Sequence, residues 1–124
     1  VLPEARKNNV GVLNMFAVRR ALSQPEKLRE VARDLAVGGQ TEAGAVDPDD
    51  PLGFLVYPGG ATGVAGAAYR FCREEPGVHV VLSGTGNPDH LVANLKSFDR
   101  APLPEADVER LKHIFRNVDS TTGQ

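Results

Sequence analysis

Residues 78–95 read VHVVLSGTGNPDHLVANL, and the spacing of their apolar side chains changes halfway along. Four of the first five residues are apolar, and most of them are β-branched. Residues 83–87 then supply two glycines and three small polar side chains, and after Pro88 the apolar residues recur with helical spacing. This order predicts a short strand, a turn and a helix that starts at the turn.

The turn has two interpretations, a plain connector or a binding site for an anion. Asn87 is a good N-cap and Pro88 suits the first helical position. Such a turn brings unpaired backbone N–H groups and the positive end of a helix to one point. Gly84 and Gly86 would let a ligand approach the backbone closely. The spacing alone favours the connector.

His90 and Asn94 extend the anion interpretation along the helix. They are four residues apart and therefore share one helix face. A ligand that reaches from the turn along the helix would meet both side chains. In the connector interpretation, both are solvated.

Composition limits the function classes. The chain has 124 residues, 41% of them hydrophobic and 24% charged, which is typical of one small globular domain. The net charge of −2 gives no electrostatic reason to expect nucleic acid or an anionic membrane as a partner. The single cysteine, Cys72, excludes an internal disulfide and favours a reducing, cytoplasmic compartment. The three histidines have no clustered carboxylate, so no metal site is predicted.

The first half of the chain predicts a helix end, a strand and a second helix. Residues 1–9 look like the end of a helix, and the apolar run VGVLNMFAV over residues 10–18 predicts a buried strand. The next helix begins in SQPEKLREVARDL, residues 23–35, where Ser23 and Glu26 have the spacing of a capping box.

The remainder predicts a long loop and further helices. Residues 40–60 are loop-like, although LGFLVY at residues 52–57 is apolar enough to dock on the body. Helices are predicted over residues 61–75 and 101–118, and residues 119–124 are expected to fray. Alternating strands and helices indicate parallel β/α units. Two strands do not make a stable parallel sheet, so we expect strands beyond this chain.

Three further stretches give the sequence a family resemblance. VVLSGTGNPDHLVANL, preceded by AAYRFCREEPGVH at residues 67–79 and by VGVLNMFAVRRALS at residues 10–23, resembles the C-terminal part of aldo/keto reductases. LPEADVERL at residues 103–111 adds weaker support. The resemblance covers nearly the whole chain and is closest to a bacterial branch related to galactose dehydrogenases.

The resemblance implies an α/β fold, the C-terminal part of a (β/α)8 TIM barrel that carries strands seven and eight with their helices. Residues 10–18 would be the seventh strand and residues 78–82 the eighth. Residues 1–124 would then be one portion of a single barrel domain, and such a barrel takes about 250 residues. The absence of a methionine at Val1 is compatible with processing, trimming or a fragment.

The resemblance also implies a cofactor site for NADP, with NAD possible. Gly84 and Thr85 fall where many members hold the adenosine 2′-phosphate with a Lys-Ser pair. His90 falls where an Arg often contacts that phosphate or the adenine, and Asn94 matches an adenine-contacting Asn. The family's preceding Glu is replaced by Ala93. Because the Lys and Arg charges are missing, a strict preference for NADP does not follow.

Three more residues complete the implied cofactor-binding set. Ser83 opens the loop and is counted with it. Met15 falls where many members stack a Tyr on the nicotinamide. Arg19 lies at the end of the seventh strand and is a candidate for pairing with the pyrophosphate, since a guanidinium binds phosphate bidentately. A solvated loop charge is the alternative for Arg19.

The family's catalytic Asp, Tyr, Lys and His would all precede Val1, so the chain is expected to hold no catalytic residue. Tyr57 lies in a proline–glycine loop, and Tyr69 would lie on a helix outside the barrel, so neither replaces the catalytic Tyr. The implied parent function is NAD(P)H-dependent reduction of a carbonyl or oxidation of a sugar or alcohol hydroxyl. This chain would supply the adenosine-phosphate site and would be inactive alone.

Two alternatives remain open. One is a non-catalytic nucleotide-binding protein. The other is a protein-interaction module whose exposed sheet edges pair with a partner, either the remainder of a barrel or another copy of the chain. Catalytic Tyr and Lys residues upstream would favour the enzyme, and a defined oligomer would favour the module.

Overall fold

The structure is a computed structural model that describes residues 1–120. The helices are α1 (Leu2–Lys7), α2 (Arg20–Ser23), α3 (Pro25–Val37), α4 (Val64–Glu74), α5 (Pro88–Phe98) and α6 (Glu105–Ile114), with a 3₁₀ turn at Gly53–Leu55. The strands are β1 (Leu13–Asn14) and β2 (Val80–Val81). Of the tail predicted to fray, residues 121–124 lie outside the described residues.

The two strands form a parallel pair. Leu13 pairs with Val80 and Asn14 with Val81. The pairing is extended at one end by His79, whose Nδ1 accepts a hydrogen bond of 3.1 Å from the backbone N–H of Val12. His79 therefore joins the strands at the start of β2.

The predicted fold class, a portion of a (β/α)8 barrel, is wrong. Within residues 1–120, six α-helices accompany a single two-stranded sheet, whereas a barrel portion would be rich in strands. The apolar run over residues 10–18 forms a strand only at Leu13–Asn14. Phe16 has a φ of 63°, and a left-handed residue cannot continue an extended strand. The chain therefore leaves the sheet two residues after β1.

The two faces of the sheet differ. Helix α4 covers one face, where the Tyr69 hydroxyl on the helix lies 3.0 Å from Ser83 Oγ just beyond β2. The paired residues Leu13 and Val80 are both exposed. Because paired residues in adjacent strands point to the same side, these two side chains mark an uncovered face.

The hydrophobic core lies among the helices and the long loop. Its buried members are Leu52, Leu55, Ala61, Ala67 and Leu103. The prediction that residues 52–57 dock on the body is confirmed, because Leu55 is only 2% exposed. Most of the burial therefore holds the loop, α4 and the segment before α6 together.

The helix starts test the predicted caps. Asn87 caps α5 as expected, with its Oδ1 accepting a hydrogen bond of 2.9 Å from the backbone N–H of Asp89. The capping box at Ser23 is wrong. The N-cap of α3 is Gln24, and the Ser23 hydroxyl donates instead to the carbonyl of Arg20 at 3.2 Å. Arg20 and Ser23 belong to a short preceding helix that the spacing did not reveal.

Gly66 permits close packing between two helices. A β-carbon at this position of α4 would lie 3.0 Å from Ser97 Oγ on α5. This close approach between α4 and α5 positions α5 and the loop before it.

Alkaline pH is expected to weaken one contact of the long loop. The Tyr57 hydroxyl donates a hydrogen bond of 2.7 Å to Asp107 Oδ2, which raises the pKa of Tyr57 above its ordinary value. Because the pKa of Tyr57 is higher in the folded than in the unfolded chain, its hydrogen bond contributes fully to stability below the unfolded-state pKa of about 10. That contribution is lost as pH rises through the folded-state pKa. Urea unfolding of the wild type and Tyr57→Phe from neutral to alkaline pH should show a difference that shrinks as pH rises. A constant difference would contradict this assignment.

Candidate functional site

The candidate site lies at the carboxyl edge of the parallel strand pair. Since β1 and β2 run in the same direction, residues 15–19 and 83–87 leave the sheet at one edge. Ligands of open α/β sheets bind outside the carboxyl ends of the strands. The structure thus brings the predicted residues Met15 and Arg19 to the same edge as the glycine-bearing loop.

The loop before α5 uses part of its donor capacity internally. The backbone N–H of Asn87 donates to Thr85 Oγ1 at 3.1 Å, and that of Asp89 donates to Asn87 Oδ1. β-Carbons at Gly84 and Gly86 would meet nothing within 4 Å. Within residues 1–120 no hydrogen bond uses the backbone N–H of either glycine. Gly84 and Gly86 therefore keep N–H donors that no hydrogen bond uses, whereas the N–H groups of Asn87 and Asp89 are bonded to the side chains of Thr85 and Asn87.

A polar cluster anchors the base of this loop. The Asn94 amide nitrogen donates to Ser83 Oγ at 2.9 Å, and the Tyr69 hydroxyl lies 3.0 Å from the same oxygen. Tyr69 is 4% exposed, whereas Asn94 and Ser83 are half-buried. The cluster joins α4, α5 and the end of β2 through one hydroxyl. Two predicted site residues, Ser83 and Asn94, are thus in direct contact.

His90 lies apart from that cluster. Its side chain is exposed on the first turn of α5, whereas Asn94 points its amide nitrogen towards Ser83. The adenine contact inferred for Asn94 stays a prediction. Its amide nitrogen is held inside the protein, which leaves the carbonyl oxygen of its side chain for a ligand.

Phe16 is a prominent residue of this edge that the sequence did not single out. Its side chain is 59% exposed although its backbone has a φ of 63°. The guanidinium carbon of Arg19 lies 4.4 Å from the centroid of the Phe16 ring. Residues held in sparsely populated backbone conformations are concentrated at active sites and ligand-binding sites. Nothing in the residue pattern distinguishes a left-handed Phe from a strand residue.

Asn14 leaves a polar atom unpaired at the end of β1. Its side-chain Oδ1 is buried and has no hydrogen-bond partner among the described residues. A buried acceptor without a partner lowers the stability of the fold by roughly 1–3 kcal/mol. A hydrogen bond to this oxygen from a ligand or a water is therefore favoured. Asn14 is a second residue that the sequence analysis missed.

The charges at the edge oppose one another. Arg19 follows β1, and Asp89 lies in the first turn of α5. A phosphate beside the loop would be attracted by the first charge and repelled by the second. The α5 terminus is therefore a weaker anion site than the glycines alone would indicate.

Cys72 and the tyrosines do not offer a reactive group to this edge. Burial, reinforced by the Glu75 carboxylate, raises the pKa of the Cys72 thiol and so disfavours the thiolate. The Tyr57 hydroxyl donates a hydrogen bond to Asp107, and Tyr69 is buried against Ser83. These contacts leave neither phenol available to protonate a substrate at the loop.

In residues 1–120, His, Cys, Asp and Glu side chains form no group of three or more that could hold a metal ion. None of the helices in this part of the chain combines the length and hydrophobicity needed to cross a membrane.

Comparison of the chain with protein-family profiles, curated proteins and solved structures gave no match. The resemblance to aldo/keto reductases therefore stays a prediction that depends on the residues quoted above.

Proposed function

We propose that this chain binds the adenosine-phosphate part of NADP, or of NAD, at the carboxyl edge of the strand pair. In this proposal it serves an NAD(P)H-dependent oxidoreductase that reduces a carbonyl or oxidises a sugar or alcohol hydroxyl, in a reducing, cytoplasmic compartment. The observation that carries the binding step is the convergence of two segments at one edge. One presents the exposed ring of Phe16, and the other presents the N–H groups of Gly84 and Gly86, which donate no hydrogen bond within residues 1–120.

The β1 side supplies a surface for the adenine. An exposed aromatic ring stacks on any nucleobase, and such stacking contributes about 1–3 kcal/mol per base. Arg19 lies over the Phe16 ring and adds a cation close to the stacked base.

The β2 side supplies donors for the phosphate. Within residues 1–120 the backbone N–H groups of Gly84 and Gly86 donate no hydrogen bond, and both residues are exposed. The Thr85 hydroxyl oxygen accepts from the backbone N–H of Asn87, which leaves its proton for a ligand. His90, on the first turn of α5, adds a ring donor. The Ser83–Tyr69–Asn94 cluster positions this loop rather than touching the phosphate.

Proton transfer is not assigned to this chain. The Tyr57 hydroxyl is bonded to Asp107, and the buried Tyr69 hydroxyl is held 3.0 Å from Ser83 Oγ at the base of the loop. We therefore expect the 124-residue chain to bind a nucleotide without reducing a carbonyl. Reduction of a carbonyl by the purified 124-residue chain would contradict this expectation.

Calorimetric titration with 2′,5′-ADP and 5′-AMP tests the proposal. Phe16→Gly removes the ring and accommodates the positive φ, so the fold should persist while affinity for both nucleotides falls roughly 5- to 100-fold. Val37→Gly, at an exposed position on α3, is the matched control and should bind normally. Tighter binding of 2′,5′-ADP would favour NADP, and equal binding would favour NAD. Equal affinity of Phe16→Gly and the wild type would contradict the assigned adenine surface.

A further inference from the structure

The outer edge of β2 and the exposed side of α5 are unpartnered, and a groove lies between them. The groove has a volume of about 480 Å³. It is lined by Arg73, Val78, His79, Val81, Ser83, Leu91, Leu95 and Phe98. Arg73 is neutralised by its ion pair with the carboxylate of Glu74. Five of the eight lining residues are apolar, and the groove is bordered by a strand edge on one side and a helix on the other.

The strand edge presents free backbone groups. The N–H groups of Val80 and Leu82 donate to β1, at 3.2 Å to Val12 and 2.9 Å to Asn14. Alternate residues of a strand bond to the same neighbour, so the N–H and C=O of Val81 point away from β1. In the described part of the chain no strand pairs with this edge. An edge of this kind is a template for another strand.

The exposed side of α5 is self-complementary in charge. Asp89, Val92 and Lys96 are spaced by three and four residues and share one face of the helix. Val92 is 49% exposed, and among the described residues neither Asp89 nor Lys96 forms a salt bridge. The face thus runs from an acid through an apolar centre to a base. Two antiparallel copies of it place each acid against the other copy's base.

We propose that a second copy of this chain binds at this surface about a two-fold axis. The two β2 strands pair antiparallel, with Val81 opposite the partner's Val81, to make a four-stranded sheet. Residues opposite each other in such a pair exchange both hydrogen bonds, which uses the free groups of Val81. Their side chains lie on the same side of the sheet, so the partner's Val81 fills the groove beside Leu91 and Leu95.

The same axis packs the two α5 helices against each other. Val92 meets the partner's α5 near the centre of the contact, and the small Ala93 beside it allows a close approach. Asp89 then lies against the partner's Lys96, and Lys96 lies against the partner's Asp89. A two-fold interface needs a surface patch that is complementary to the same patch on the second copy. The proposed surface is self-complementary in its free backbone groups, its shape and its charges. The net charge of −2 adds little repulsion between copies.

Sedimentation velocity over a concentration series tests the proposal with reciprocal charge changes. Two elements from each copy make a small interface, so we expect dimers with a Kd of about 1–100 µM. In a dimer of Asp89→Lys, each of the two contacts between position 89 and position 96 would join two lysines. In a dimer of Lys96→Asp, each of these contacts would join two aspartates. Each variant alone should be monomeric at concentrations where the wild type is dimeric. An equimolar mixture of the two should dimerise, because every contact again joins opposite charges.

Leu13→Lys is the control for the uncovered sheet face, and this variant should dimerise as the wild type does. Circular dichroism checks that each variant is folded. Four results would overturn the proposal: a monomeric wild type at about 1 mM, far above the expected Kd; full dimerisation of the single charge variants; a mixture that stays monomeric; or dissociation by Leu13→Lys. The last would place the contact on the sheet face instead.

Discussion

Leu55→Ala is expected to lower the free energy of unfolding by about 2–5 kcal/mol, the range of leucine truncations in packed cores. Leu55 is 2% exposed and is the largest apolar side chain buried to this degree in the described chain. It joins the 3₁₀ turn to α4 and to the segment before α6 through Ala67 and Leu103. Truncation removes apolar contacts from three segments and leaves a cavity among them.

Equilibrium urea unfolding followed by circular dichroism measures this loss. Leu55→Met keeps most of the volume and should cost less than about 1.5 kcal/mol. Val56→Ala changes the neighbouring exposed residue and should stay within about 0.5 kcal/mol of the wild type. Similar losses for Leu55→Ala and Val56→Ala would mean that the core lies elsewhere.

Arg70→Met is expected to lower the free energy of unfolding by about 2–4 kcal/mol. The guanidinium is 5% exposed and donates to the carbonyls of Gly60 and Pro102, at 2.9 and 2.8 Å. Methionine fills similar space but leaves both carbonyls without donors, at about 1–3 kcal/mol each. Part of this loss is offset, because burial lowers the pKa of Arg70 and so already disfavours the charged form.

Hydrogen exchange separates this effect from a general loss of packing. The loop around Gly60 and the segment around Pro102 should lose protection before the rest of the molecule. Arg33→Met, at an exposed position on α3, is the matched control and should leave stability within about 0.5 kcal/mol of the wild type. Wild-type stability of Arg70→Met would mean that solvent already satisfies both carbonyls.

Local features were predictable where neighbouring residues decide them. The Asn87 cap and Pro88 start of α5 depend on a few adjacent residues, and the structure has both. The docking of residues 52–57 was likewise predictable, because its apolar density is unusual in a loop. In contrast, the N-cap position of α3 is Gln24 rather than Ser23, because Ser23 is the last residue of α2.

The barrel expectation failed because an apolar run does not specify its partners. Residues 10–18 have strand composition, but the left-handed Phe16 ends the strand after Asn14. Met15, Arg19 and the loop at residues 83–87 follow the carboxyl ends of the two parallel strands, and their role in binding stays a prediction. The contact of Tyr69 with Ser83 joins residues 14 apart and has no local signature.

The central claim is that the carboxyl edge binds an adenosine phosphate, and amide chemical shifts measured by NMR during titration with 2′,5′-ADP test it most directly. The account predicts saturable shifts at Gly84, Thr85 and Gly86 together with residues 15–19, and little change on α6. Absence of shifts at millimolar ligand, or shifts confined to other parts of the chain, would contradict it.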